Sequence, residues 1–233
     1  SVFAVGVLAL IAGQLSGDDA AAASTPGAQR GKWWHQVDRF RLVILAIVAF
    51  ALMLAEGTAY DWSALQVVET FDVPEANGAI AFFAFSAAMT LTRFVIDPIA
   101  AAIGPAAVVR IGATIGIVGM TIVVASARFD DAQWMSMVGW TIFGTGLAGG
   151  IPQIFTAAGN LSPVASGQVI SVVVGCGYLG MLAGPAVVGF LSHLTSLSSA
   201  LVVVVVALVI ALVFASQVNK RGATADSSGL VRP

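Results

Sequence analysis

The sequence predicts an all-α fold: a polytopic membrane bundle of six transmembrane helices, preceded by the tail of a truncated helix. Three observations carry that prediction. Hydrophobic residues make up 58% of the 233-residue chain and charged residues only 9%, where soluble domains carry roughly 25% charge. Mean hydropathy is +0.96, too high for a globular core alone. The apolar residues also gather into runs of about twenty, the helical length that crosses a ~30 Å hydrocarbon layer. The same composition excludes other classes. A net charge of -2 offers no basic surface to nucleic acid, and the single cysteine, Cys176, has neither a disulfide partner nor metal-ligand companions. Neither a metal nor a cofactor is expected.

Residues 1–15 (SVFAVGVLALIAGQL) are apolar but fall short of the roughly 20 residues a span needs. A signal-peptide core would require a positive n-region and would place Arg30, Lys32, Arg39 and Arg41 outside. The end of a helix cut upstream is the better reading, so the chain is expected to be a fragment. Residues 16–39 read as a cytoplasmic linker. They are first small and polar (SGDDAAAASTPGAQRG), then carry Trp33 and Trp34 among basic residues, a headgroup-level anchor. His35 there reads as a solvated interface residue rather than a ligand.

Six spans follow over residues 40–218. The first, 40–61, is an apolar run ending in AEGTAYDW, and its exit loop holds Asp61, Glu69, Asp72 and Glu75 with no Lys or Arg. The second, 78–96, is rich in Phe and Ala, and the loop DPIAAAIGP leads to the third, 106–127. The fourth, 134–157, is broken by Gly144, Gly146, Gly149, Gly150 and Pro152. The fifth, 168–191, carries many glycines and Pro185, and the sixth, 199–217, is nearly pure Val, Leu and Ala. In water that valine run would read as a strand. In lipid a backbone must satisfy its own polar groups, which favours a helix. Residues 219–233 read as a disordered cytoplasmic tail. Numbering loops alternately puts Arg30, Lys32, Arg39, Arg41, Arg93, Arg110, Lys220 and Arg221 on one side, against Arg128 alone on the other. That asymmetry makes both ends of the six-helix unit cytoplasmic.

Ionisable groups in apolar spans are functional candidates by default. Glu56 lies ~22 Å along the helix from Arg41 at 1.5 Å per residue, in the outer third of the layer, with Asp61 at the outer boundary beside Trp62. Five residues separate the two acids, ~140° around a helix, so they do not form a same-face dyad. Glu56 is flanked by apolar residues, and desolvation favours its neutral form, which reversible protonation requires. A hydrogen-bonded acid holding helices together is the alternative. Arg93 and Asp97, four apart, share a face at the second-to-third connection, with Arg110 entering the next helix. They read equally as a cytoplasmic charge cluster that pins two helix ends or as ordinary topology-setting charge. In the fourth span Gln153 and Asn160 lie among Gly and Pro. Such interrupted helices expose carbonyls to a cavity, and tight packing is the equal alternative. Residues 175–180 fit GxGxxG, but a dinucleotide site needs that pattern between a strand and a soluble helix. In an apolar span Gly180, Gly184, Gly189 and Pro185 instead suit close helix contact and a bend.

Three of these stretches carry a family resemblance. EGTAYDWSAL, the R-x-x-x-D…G…R set at Arg93, Asp97, Gly104 and Arg110, and GYLGMLAGPAVVGFL over 177–191 resemble the C-terminal half of a major facilitator superfamily transporter, in its fucose-permease-like bacterial branch. They match, in order, the seventh helix, the loop between helices eight and nine, and the eleventh helix. The loop departs from the family pattern, with Thr92 in a glycine position and Pro98 and Pro105 in basic ones. The resemblance implies six helices of a twelve-helix fold in a bacterial inner membrane, completed by an N-terminal six-helix half. It implies alternating-access, proton-coupled transport of a small polar solute, a sugar or organic metabolite, with Glu56 as the proton-coupling candidate. Helices seven and ten face the cavity in that family, making Tyr60, Trp140, Thr141, Gln153 and Asn160 cavity-lining candidates. Helices eight and eleven lie between halves, which assigns Gly177, Gly180, Gly184, Pro185 and Gly189 to packing there. Efflux by the same fold and a non-transporting partner-binding module are the alternatives. An intramembrane enzyme is not expected, because Ser192 and His193 are adjacent and cannot face each other as nucleophile and base.

Overall fold

The structure is a computed structural model and describes residues 37–162 and 164–218. The expected helix tail at 1–15, nearly all of the 16–39 linker with His35, and the tail at 219–233 lie outside the described residues. Eight helices follow in order: α1 (Arg39–Phe71), α2 (Glu75–Ile103), α3 (Pro105–Ser126), α4 (Gln133–Leu147), α5 (Gly150–Gly159), α6 (Ser166–Leu194), α7 (Leu197–Ala200) and α8 (Val202–Phe214), closing on a 3-10 turn at Ala215–Val218. Five stretches among the described residues are long and apolar enough to cross a membrane: α1, α2, α3, α6 and the run Leu197–Val218. The pair α4–α5 covers the expected fourth span as two shorter helices. Its break at Ala148–Gly149 is explained by Pro152, which has no N–H for the carbonyl four residues back yet is tolerated in the first turn of a new helix. The valine run is helical, as expected.

Helix ends differ from the sequence reading at two places. The expected first exit loop is helix: α1 continues through Asp61, Gln66 and Glu69 to Phe71 and ends only at Asp72, which takes a left-handed conformation at φ 49° before Pro74 opens α2. At 33 residues α1 is ~50 Å long, well beyond a hydrocarbon layer. Likewise α2 runs straight through Pro98, and the expected DPIAAAIGP loop shrinks to Gly104. Its φ of 85° requires glycine, and Pro105 then starts α3.

What holds the α1 extension is a polar hub. Gln66 is fully buried. Its Oε1 accepts from Ser136 Oγ at 2.6 Å and Trp140 Nε1 at 3.0 Å, and its Nε2 donates to Thr70 Oγ1 and Ser198 Oγ, both at 3.3 Å. One side chain thus ties α1 to α4 and α7, and its amide is satisfied, as a buried polar group must be. Replacing Gln66 by Leu leaves the Trp140 N–H and the Ser136 hydroxyl without this acceptor. We expect a loss of about 1–3 kcal/mol, read as a lower unfolding midpoint by tryptophan fluorescence in detergent.

Close helix contacts rest on glycine. A Cβ at Gly119 would meet the Phe143 nitrogen and the Gly139 carbonyl, and one at Gly146 would meet the backbone of Gly112 and Gly116. Thus α3 and α4 pack backbone to backbone through Gly112, Gly116, Gly119, Gly139 and Gly146, the small-residue contact expected where lipid supplies no hydrophobic drive. Helices α1 and α6 pack in the same manner. At the opposite end from the hub, Arg41 Nε donates to the Gln217 carbonyl at 3.1 Å. The start of the first span therefore lies beside the end of the last, as an even number of crossings requires.

Candidate functional site

The site is organised on the middle of α1. Glu56 stands 17 residues from Arg39 and 15 from Phe71, ~26 Å and ~22 Å along the axis. It therefore lies at mid-length of α1, because the helix outlasts the expected end by ten residues. Arg93 of α2 donates from Nη2 to Glu56 Oε1 at 3.2 Å. Arg93 itself lies 10 residues, ~15 Å, inside the Ile103 end of α2. One turn beyond Glu56, Tyr60 donates its hydroxyl to the same Oε1 at 3.3 Å. The Glu56 side chain is only 11% exposed, whereas that of Arg93 is 42% exposed, so the pair opens to the bundle surface on the arginine side. Tyr60 is held by Phe85, edge-on with centroids 5.6 Å apart, and by Phe82 at 6.3 Å. Glu56 is thus a buried, paired acid with two donors rather than an isolated carboxyl.

Next to this pair, and sharing Tyr60 with it, a recess of about 300 Å³ opens against α6, lined by Gly57, Tyr60, Asp61, Tyr178, Met181, Leu182 and Pro185. Its floor is a close approach: a Cβ on Gly57 would collide with the Met181 carbonyl. That carbonyl cannot receive an N–H from residue 185, which is proline. Trp62 Nε1 donates to the Pro185 carbonyl at 3.3 Å and fixes the outer edge. Asp61 is exposed here, ~15 Å short of the helix end at Phe71. As the angular argument requires, Glu56 faces α2 while Asp61 faces the recess.

Several expected site residues sit elsewhere. Arg93 does not join Asp97 and Arg110 in a charge cluster; it pairs with Glu56, and among the described residues Asp97 and Arg110 form no ion pair and are exposed. Arg93 lies two to three turns inside α2, because the loop that would have gathered the three is helix. Trp140 does not line a cavity. It is wholly buried, bonded to Gln66 and packed edge-on against Phe143 at 5.6 Å. Thr141 is partly buried and returns its hydroxyl to the Met137 carbonyl at 2.8 Å. Gln153 is partly buried in α5, and Asn160 is its exposed C-cap. The α6 glycines pack within the bundle: Gly180 abuts the Phe50 carbonyl, Gly177 the Met53 sulfur, Gly184 the Leu54 carbonyl and Gly189 the Trp62 ring. These contacts and Pro185 close α6 onto α1 within the bundle. Two features were missed from sequence. The Gln66 hub carries a signal, since Ala59, Ser63, Gln66, Val67 and Thr70 repeat at three and four residues. The Glu56–Arg93 pair, 37 residues apart, carries none.

Comparison with known proteins places this geometry. The sequence pattern of the family described as Major Facilitator Superfamily matches residues 39–229. An uncharacterised MFS-type transporter of Yersinia pestis is 30% identical over 159 residues, covering 68% of this chain and 40% of that protein. Membrane protein MosC of Rhizobium meliloti is 28% identical over 165 residues, covering 71% and 40%. The uncharacterised transporter y4wD of Sinorhizobium fredii is 30% identical over 152 residues, covering 65% and 39%. The chain thus spans about two fifths of the length of the curated relatives it matches. No solved structure matches it.

Proposed function

Because this chain belongs to the Major Facilitator Superfamily, we propose that residues 40–218 are the C-terminal six-helix half of a secondary active transporter, moving a small polar solute with protons by alternating access. The observation that carries the reading is the Glu56–Arg93 ion pair between two membrane-length helices, two or more turns inside the ends of both. Charges at that depth are costly and mark ion or substrate pathways. In this reading a proton from the open side converts the Glu56 carboxylate to a neutral acid. The charge attraction to Arg93 is lost, and the guanidinium is released from α1. The α1–α2 contact then differs between the two protonation states, which is the differential interaction that any coupled conformational change requires. Tyr60 stays one turn away on Oε1 as a second donor, holding the carboxylate when the proton has left. The bilayer is taken as a bacterial inner membrane with both ends of the unit cytoplasmic, and an N-terminal six-helix half completes the cavity.

The test uses the complete protein in sealed liposomes with a pH dye inside. Small polar solutes, pentoses, hexoses and polyols among them, are added one at a time. A transported solute is expected to carry protons with it, and an opposing pH gradient is expected to slow its entry. A solute that accumulates with no proton movement overturns the coupling.

A further inference from the structure

We propose that the recess between α1 and α6 is a binding site for a small organic cation, an amine or quaternary ammonium, with Asp61 as its counter-ion. The proposal rests on the transporter reading above and names a ligand class for a second site on the same helix. Four observations carry it. First, the recess holds one carboxylate and no basic side chain: its lining is Gly57, Tyr60, Asp61, Tyr178, Met181, Leu182 and Pro185. Second, Arg93 is already engaged by Glu56, so that pair is neutral as a unit and leaves Asp61 as the uncompensated charge of the recess. Among the described residues Asp61 has neither a hydrogen-bond nor an ion-pair partner. Third, the remaining polar features are suited to accept rather than to supply positive charge: the Tyr178 phenol and the Met181 carbonyl, deprived of its helical donor by Pro185. Fourth, the walls are two phenol rings and aliphatic surface, with Tyr60 braced by Phe82 and Phe85. Aromatic faces attract a cation most strongly when water is excluded.

Size fits the class. About 300 Å³ is at the lower end of small-molecule sites and accommodates one ring with an ammonium head. Chemistry selects against other ligands. An anion would face Asp61 with nothing to neutralise it, and a neutral polyol would leave the carboxylate charge unbalanced beside apolar Leu182 and Met181. A cation satisfies both the charge and the walls.

The probe is tritiated benzyltrimethylammonium, whose charge does not depend on pH, bound at equilibrium to the complete protein in lipid nanodiscs. Benzyl alcohol and benzoate serve as competitors. Saturable binding is expected, displaced by the unlabelled cation and by neither competitor. Asp61→Asn is expected to weaken it by about ten-fold or more, and Asp61→Glu by about threefold or less. The unfolding midpoint of Asp61→Asn should stay at the wild-type value, since the carboxylate holds no partner in the bundle. Tyr178→Ala is expected to weaken binding as well, with Tyr178→Phe retaining most of it. Binding unchanged in Asp61→Asn, displacement by benzyl alcohol, or no saturable binding at all overturns the proposal. Loss of the cation site with solute-driven proton movement intact sinks this inference alone. Binding intact without proton movement sinks the coupling alone.

Discussion

Glu56→Gln in the complete protein is expected to lower proton-driven solute uptake by about ten-fold or more, equivalent to at least ~1.4 kcal/mol of lost coupling. Glutamine keeps the shape and a hydrogen-bonding oxygen for Tyr60, but it neither takes up a proton nor balances Arg93. Removing one member of a fully buried pair costs ~3–5 kcal/mol. The Arg93 side chain is 42% exposed, so the pair is not fully buried and the stability loss is expected to be smaller. A fall in uptake therefore needs separating from a fall in folding. The double variant Glu56→Gln with Arg93→Gln removes both charges and leaves no orphan. If the pair is only a structural clamp, the double variant regains both the unfolding midpoint and the uptake lost by the single one. If Glu56 carries the proton, the midpoint recovers and driven uptake does not, while exchange of solute down its own gradient survives. Full proton-driven uptake in Glu56→Gln would falsify the coupling role outright.

That experiment targets a contact no sequence pattern announces. Six spans, their order and the placement of Glu56 on the first follow from local composition, because run length against membrane thickness is a one-dimensional property. Helix ends are less legible. DWSALQVVETF looks like a loop because it is polar, yet its polar residues recur at helical spacing and Ser63, Gln66 and Val67 are buried. The partners of Gln66, Ser136, Trp140 and Ser198, lie 70 to 132 residues away, so the reason for the helix is tertiary. The same holds at the site. Arg93 and Asp97 share a face by spacing, but the partner Arg93 takes is set by the antiparallel packing of α1 and α2. The angular separation of Glu56 and Asp61 was legible, because it needs only helix geometry. That each faces a different neighbour was not.

Gly180→Ala and Gly175→Ala, two identical changes in one helix, are expected to move stability in opposite directions. Glycine is ~1 kcal/mol worse than alanine in a helix interior, so propensity alone predicts that both stabilise. At Gly175 nothing lies within 4 Å of an added Cβ, and the gain of up to ~1 kcal/mol should appear. At Gly180 the added carbon collides with the Phe50 carbonyl and lies 2.9 Å from its Cα. These are backbone atoms with no rotamer to yield, so α1 and α6 must separate. Overpacking typically costs ~1–3 kcal/mol, and Gly180→Val is expected at the top of that range or beyond it. Thermal unfolding in detergent, followed by tryptophan fluorescence, reads all three. The contact also has a functional consequence, since Gly57 and Met181 meet further along the same seam and form the floor of the Asp61 recess. A Gly180→Ala protein that still folds in lipid should therefore bind benzyltrimethylammonium more weakly, although residue 180 does not line the recess. Equal stabilisation by both alanines would mean that α1 and α6 are not in backbone contact, and the recess they enclose would have to be redrawn.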